Sequence, residues 1–360
     1  MQHIYVTVGK FLLKTGFLLA FLFPPATDGR SSTVLTESDV LKSFVDKGVY
    51  PSLSRAAETA GRLADASQNL CAYPSDKNLQ LARDAWQKAY LAWRRAEPFM
   101  FGPAEKLYQR LGKWPANNVV LNAVAASAEY RYARGEADVR GFPAAEYLLF
   151  TPKNAAEATA GERCAHLNDV TREILELVRN SRQGWERGFG KSFVSAGNGQ
   201  PFLVPGDALS LAVTQIVSVT EHMLRDRIGI PSGFFKGITK PESVEAWRSG
   251  SALDGFEATL EGIRLAVTGG GNTSVARLVA TKDGLVESKN PTLAADIQQQ
   301  IDKIEKVIAG LGDSDRLHRD PLKLKGLYKQ IQKLQDQLIE AALVLELDVR
   351  VLELDVRTQQ

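Results

Sequence analysis

The sequence predicts an all-α protein built from two helical-bundle domains, each roughly a four-helix bundle. Three observations predict it. First, apolar residues recur at helical spacing over long segments. Leu79, Ala82, Trp86, Ala89, Tyr90 and Trp93 share one broad face, and Leu167, Val170, Ile174, Leu177 and Val178 form another stripe. Second, no run of alternating strands with hairpin turns appears before the C-terminus. Third, a Gly-, Ser- and Pro-containing stretch, Gly188–Gly206, divides the striped segments into two groups. The expected domains are therefore 37–188 and 206–347.

The elements follow in order. Lys10 and Lys14 precede a short apolar core, Thr15–Phe23, and then Pro24, Pro25, Ala26 and Thr27. This reads as a secretory signal over residues 1–32, cleaved near Ala26–Ser32; the alternative is an uncleaved anchor. No Cys follows the core to carry a lipid, and no later segment is apolar enough to cross a membrane. Glu37–Tyr50 is a first helix that Pro51 is expected to stop. Ser54–Leu70 is Ala-rich and helical. Tyr73-Pro74 breaks the chain, and Ser75 or Asp76 caps the helix Asn78–Glu97. Phe99–Pro103 is an apolar loop, Trp114-Pro115 opens another, and Asn122–Arg134 reads as helical.

Gly141–Phe150 follows, with Pro143 in the first turn, where its missing N–H costs nothing. Beyond it, Gly161–Arg187 and Asp207–Arg227 are long helices separated by the predicted boundary. Ile230–Lys240 is a loop and Ser243–Ser249 is short and partly helical. Ala252–Val267, Pro291–Leu311 and Pro321–Leu347 complete the set. The tail, 348–360, is unusual: Val344–Arg350 reads VLELDVR and Val351–Arg357 repeats it unchanged. One more helical heptad, a strand, or a structurally incidental duplication would each account for it.

Composition limits the function. Hydrophobic residues make up 44% and charged residues 24%, an ordinary globular balance. A net charge of +2 argues against nucleic acid as a partner. Cys71 and Cys164 are the two cysteines; in an oxidising compartment they could pair, or both stay as buried thiols. There is no G-x-S-x-G, H-E-x-x-H, C-x-x-C or phosphate-binding Gly loop. Of the four histidines, His222 shares a helix face with Asp226 beside Glu221, a spacing that suits either a metal pair or a solvated polar face. His166 with Asp169 is a weaker case.

Glu146 is the only charge in Gly141–Phe150, whose other residues are apolar nearly all round. Such a helix is buried, and a buried carboxylate must be paired, hydrogen-bonded, metal-bound or protonated. It reads as a salt-bridged core acid or as a functional group, with Arg94, Arg95 and Arg248 as the obvious donors. Trp93, Arg94, Arg95 and Glu97 end a helix just before the apolar loop. Glu242, Glu245, Ser249, Ser251 and Asp254 form a second polar cluster, also explicable as helix capping.

These stretches together resemble the imelysin-like proteins, a family named after a bacterial insulin-cleaving peptidase. Gly141–Glu146 resembles its G-x-H-x-x-E motif, flanked by the matching Tyr147-Leu148-Leu149-Phe150. Trp93 and Phe101-Gly102-Pro103 match upstream. Pro241–Ser249 and Asp254–Ile263 resemble the second signature, a P-x-x-V-E stretch followed by a helix. The resemblance implies an exported envelope or periplasmic protein with two helical bundles and a site near their interface. It also implies a role in iron uptake, with iron or another divalent metal, a small molecule, or envelope iron-uptake components as partners. The site residues implied are Gly141, Pro143, Glu146, Trp93, Glu97, Glu245, Arg248 and Ser249, with Glu146 the one candidate metal ligand. Peptidase activity is attributed to the founding member, and a structural module of an envelope complex is a third reading. This chain departs from the motif at its centre, where Pro143 replaces His. Proline offers neither a ligand nor a proton shuttle, so the expectation is a binding protein with no catalytic residues.

Overall fold

The computed structural model describes residues 34–129, 137–235, 237–283, 291–312 and 321–349. The predicted signal and the second VLELDVR copy lie outside the described residues. Leu35 onward forms one compact unit. Among the described residues no strand forms, and Gly199 and Phe202 make only an isolated bridge. The all-α expectation holds.

The chain begins with α1 (Glu37–Ser43), capped by Thr36, whose hydroxyl accepts from the Asp39 N–H at 3.2 Å while Asp39 accepts from the Thr36 N–H at 3.1 Å. Pro51 does not stop this helix, contrary to expectation. A π turn, Phe44–Val49, carries α1 directly into α2 (Tyr50–Ala72), and Tyr50 N–H reaches back five residues to the Val45 carbonyl. Pro51 thus falls in the first turn of α2, where a proline is tolerated. Ser75 caps α3 (Asp76–Ala96) as predicted. Short helices α4 (Leu107–Leu111) and α5 (Asn118–Ala126) follow. The expected helix Asn122–Arg134 therefore starts earlier and ends by Ser127; residues 130–136 lie outside the described residues.

Next come α6 (Gly141–Phe150), α7 (Ala155–Ala158), α8 (Arg163–Gly184) and α9 (Gly190–Val194). The second half holds α10 (Pro205–His222), α11 (Ala252–Thr268), α12 (Val275–Asp283), α13 (Leu293–Gly310) and α14 (Lys325–Val344). A π turn at Met223–Gly229 extends α10 to the end expected for it. The chain leaves the helix at Leu345, so the first VLELDVR copy adds no heptad. Of the predicted Ser243–Ser249 segment only Ser243 is helical, closing the 3₁₀ turn Pro241–Ser243; Val244 bends and residues 245–249 form turns.

Helices α2, α3, α6 and α8 pack as one set, and α10, α11, α13 and α14 as another. The sets meet where α3 lies against α11. Two glycines make that approach possible: a Cβ at Gly255 would strike the Tyr90 hydroxyl, and one at Gly262 the Arg95 carbonyl. The segment Gly188–Gly206 is a packed connection, with Phe193 and Phe202 buried around Trp185 and Phe101. The segment lies inside the one compact unit that begins at Leu35.

The core of the first set is aromatic. Trp86 stacks on Tyr90 at 5.0 Å, and Trp93 on Phe142 at 5.0 Å. Rings of this size bury on the order of 150–250 Å² each, about 4–6 kcal/mol at ~25 cal/mol/Å². The loop Phe99–Phe101 is buried too, which accounts for its apolar character. Cys71 at the end of α2 is disulfide-bonded to Cys164 at the start of α8, with Cα atoms 5.6 Å apart. Among the described residues no helix is long and apolar enough to cross a membrane.

Candidate functional site

Helix α6 starts at Gly141 with φ +68, where a Cβ would lie 2.6 Å from the Leu111 carbonyl oxygen. Only glycine meets both conditions. From Gly141 to Leu149 every residue is buried, and Glu146 is fully so. Pro143 sits in the first turn and supplies no polar atom.

The partners of Glu146 come from the other half of the chain and from a loop. The Ser249 N–H donates to Oε1 at 2.9 Å, the Ser249 hydroxyl lies 3.0 Å from the same oxygen, and the Trp114 indole N–H donates to Oε2 at 3.3 Å. The bend that presents Ser249 needs left-handed backbone at Ala246 (φ 51) and Gly250 (φ 72), and the Ser251 N–H closes it on the Ala246 carbonyl. The Ser249 hydroxyl also lies 3.0 Å from the Ala246 carbonyl oxygen. Its single proton serves one acceptor at a time. Burial pushes the Glu146 carboxyl above the ordinary glutamate value; the Ser249 N–H, Arg248, the Ser249 hydroxyl and Trp114 pull it back. A protonated Glu146 would donate to Ser249 Oγ, and the Ser249 proton would turn to Ala246.

The expected arginine donors are placed otherwise. Arg95 reaches the surface and pairs with Glu261. Arg248 acts on Glu146 through its charge while donating to Asn118 Oδ1 at 3.1 Å, and it lies over Trp247 and Tyr147. Arg94 belongs to a second buried group. It pairs with Glu97 at 2.6 Å and with Glu245, and its guanidinium carbon lies 3.9 Å from the Trp93 ring centre. Arg227 pairs with Glu245 at 3.5 Å and donates to Thr259 at 2.8 Å, and the Thr259 hydroxyl lies 3.3 Å from Glu97. The Tyr90 hydroxyl donates to Glu245. Burial raises the Glu97 carboxyl against the opposing pull of Arg94 and Arg227, and it raises the Tyr90 phenol well above its usual value. For Arg94 burial opposes the charge, but Glu245 and Glu97 outweigh it and hold the guanidinium more firmly protonated.

Arg227, Tyr90 and Thr259 were not legible as site residues in the sequence. Tyr90 and Arg94 on α3 are four residues apart, and Glu97, the C-cap of α3, follows three residues after Arg94; that local neighbourhood was the available signal.

An open cleft of about 360 Å³ adjoins both groups. Tyr108, Lys113 and Trp114 line it from one side, Arg225, Asp226, Lys240 and Glu245 from the other. The Tyr108 ring stacks on His222 at 3.7 Å, and its hydroxyl donates to Asp226 at 2.9 Å. His222 is therefore half-buried under the Tyr108 ring, and the Asp226 carboxylate beside it is taken up by Tyr108 and Arg225. Burial lowers its pKa to about 4; Asp226 opposes this, and the positive charges of Arg225, Arg94 and Arg227 add to it.

A divalent metal does not fit Glu146. Its oxygens face N–H and O–H donors, and among the described residues no three His, Cys, Asp or Glu side chains come together to hold an ion. Of the predicted site residues, Gly141, Pro143, Glu146, Arg248 and Ser249 gather at the motif. Trp93, Glu97 and Glu245 belong to the Arg94 group, with Trp114 between the two, stacked on Trp93 at 6.4 Å.

The chain has known relatives. The sequence profile of the Imelysin family matches residues 49–345. The iron-regulated protein A of Synechococcus elongatus is 27% identical over 281 residues, which span 76% of this chain and 75% of that protein. A solved structure from Parabacteroides distasonis, assigned as an iron-regulated protein A precursor, superposes with a TM-score of 0.74 at 20% identity, covering 86% of this chain and 94% of that one. An imelysin-like protein from Psychrobacter arcticum superposes with a TM-score of 0.67 at 20% identity, covering 88% and 97%.

Proposed function

This chain belongs to the imelysin family, and on that premise we propose that it is an exported cell-envelope protein that binds a ligand in iron uptake and catalyses no reaction. One observation carries this reading. Glu146, the acid of the family motif, is spent as an acceptor that fastens α6 to the Ser249 bend, while open space lies beside it at the Trp114 cleft. A peptidase needs an activated water, and the group that would hold or deprotonate it has its oxygens occupied by donors. Position 143, where an imidazole would stand, is a proline. Glu97, another acid among the expected site residues, is shut away with Arg94.

Export is supported by the basic and apolar N-terminal stretch and by the Cys71–Cys164 bridge, which suits an oxidising compartment. The link to iron is supported by the name of the Synechococcus relative. The two helix sets would act as the two domains of the ligand site, with envelope iron-uptake components as the receiving partners.

The test combines cell fractionation, growth with and without iron, and assays on purified mature protein. The protein is expected in the periplasm with a processed N-terminus and to rise in abundance when iron is withheld. It should leave unfolded peptides uncut. Chelator-sensitive cleavage that disappears in Glu146→Ala would overturn the binding-protein reading, and a cytoplasmic protein starting at Met1 would overturn export.

A further inference from the structure

The charged groups of the cleft are unequal in their commitments. Both of its acids are already neutralised. Asp226 accepts from Arg225 at 2.8 Å and from Tyr108 at 2.9 Å. Glu245 is held by Arg94, Arg227 and Tyr90. Lys113 and Lys240 are exposed at the cleft, and no described carboxylate pairs with either. Counting the wall and the groups just behind it, five cations (Lys113, Lys240, Arg225, Arg94, Arg227) stand against four acids (Asp226, Glu245, Glu97, Glu221). The field in the cleft is positive, so it repels a bare cation and draws an anion. Lys113 follows α4 in the first half of the chain, and Lys240 lies in the loop between α10 and α11 of the second. An anion with two separated charges can engage both. Trp114 and Ile230 give a carbon skeleton an apolar wall, and about 360 Å³ is room for a small molecule.

We infer that the cleft between Lys113, Lys240, Arg225 and Trp114 binds a small organic anion carrying two or more carboxylates, free or as its metal chelate. This deepens the ligand-binding reading above and rests on it. Any metal would then enter wrapped in its anionic ligand, consistent with a motif whose oxygens face donors. Trp114 touches the cleft and also donates to Glu146, so occupancy should alter its fluorescence and be felt at the motif.

The test is calorimetric titration of the purified mature protein and of the Lys113→Gln/Lys240→Gln variant. The probes are citrate, ferric citrate, inorganic phosphate and ferrous ion alone. Citrate, free or ferric, is expected to bind the unaltered protein, to weaken as salt is raised, and to lose at least tenfold in affinity in the variant. The better of the two citrate forms identifies the anion itself or its chelate as cargo. Three results overturn the inference: no citrate binding in either form, citrate binding unchanged in the variant, or phosphate binding as tightly as citrate. If ferrous ion alone binds both proteins equally and citrate does not bind, this inference falls while the ligand-binding reading stands. If none of the probes binds, both fall.

Discussion

Two buried acid sites lie within one molecule and are stabilised in opposite ways. Glu146 is held by neutral donors, a backbone N–H, a hydroxyl and an indole, with one guanidinium acting at a distance. Glu97 and Glu245 are held by two buried arginines in a charged group. The first arrangement tolerates a change of protonation, because Ser249 can turn its proton toward Ala246. The second does not, because neutralising one member leaves the others buried and charged. The difference separates an adjustable joint at the family motif from a rigid one between α3 and the second half of the chain.

The largest effect should come from breaking the charged group. Arg94→Met leaves Glu97 and Glu245 with Arg227 as the one remaining buried cation, and urea unfolding should show a loss of about 3–5 kcal/mol. A loss under about 1 kcal/mol would mean that the group is not a joint at all.

Acid should reach the same region through His222. Its folded pKa of about 4 lies below the unfolded value of 6.5, so the unfolded chain binds the proton first. The stability it contributes is complete above pH 6.5 and is lost as pH falls toward 4, up to about 3 kcal/mol. Melting curves across that window should flatten in His222→Phe, which keeps the stack on Tyr108. Glu146 has the opposite sign. Its folded pKa is raised, so its contribution is present below the ordinary carboxylate range and is lost as pH rises through the folded value.

Glu146→Gln should cost less than Arg94→Met, about 1–3 kcal/mol. The amide oxygen can still accept from Ser249, but its NH₂ then faces the Trp114 N–H. A cost equal to that of Arg94→Met would erase the distinction between the two sites. The smallest effect belongs to the exposed pair: Arg95→Ala, which frees Glu261 at the surface, should change stability by under about 1 kcal/mol in the same unfolding assay.

The sequence made the burial of Glu146 legible, because one charge in an otherwise apolar helix has few places to go. Its partners were less so. The decisive donors are a backbone N–H and a hydroxyl 103 positions away, and their approach depends on a bend at Ala246 and Gly250 that no periodicity signals. Arginines were the expected donors. Arg94 instead found Glu97 three residues on, at the cap of its own helix, and a local partner of that kind wins over a distant one. The stripes mark the helices themselves, while Pro51 looks like a stop in the sequence but sits in the first turn of α2, behind a π turn. The cleft was invisible, since Lys113, Lys240 and Arg225 meet only through tertiary packing.

The Cys71–Cys164 bridge has a topological consequence. It closes the chain between those residues into a covalent ring, and that ring contains Trp93, Arg94, Glu97, Lys113, Trp114 and Glu146. A protease that cuts once inside the ring opens a circle rather than dividing the molecule. The nicked protein keeps its mass until a reductant is added, and the two pieces of the motif region stay tethered close enough to repack.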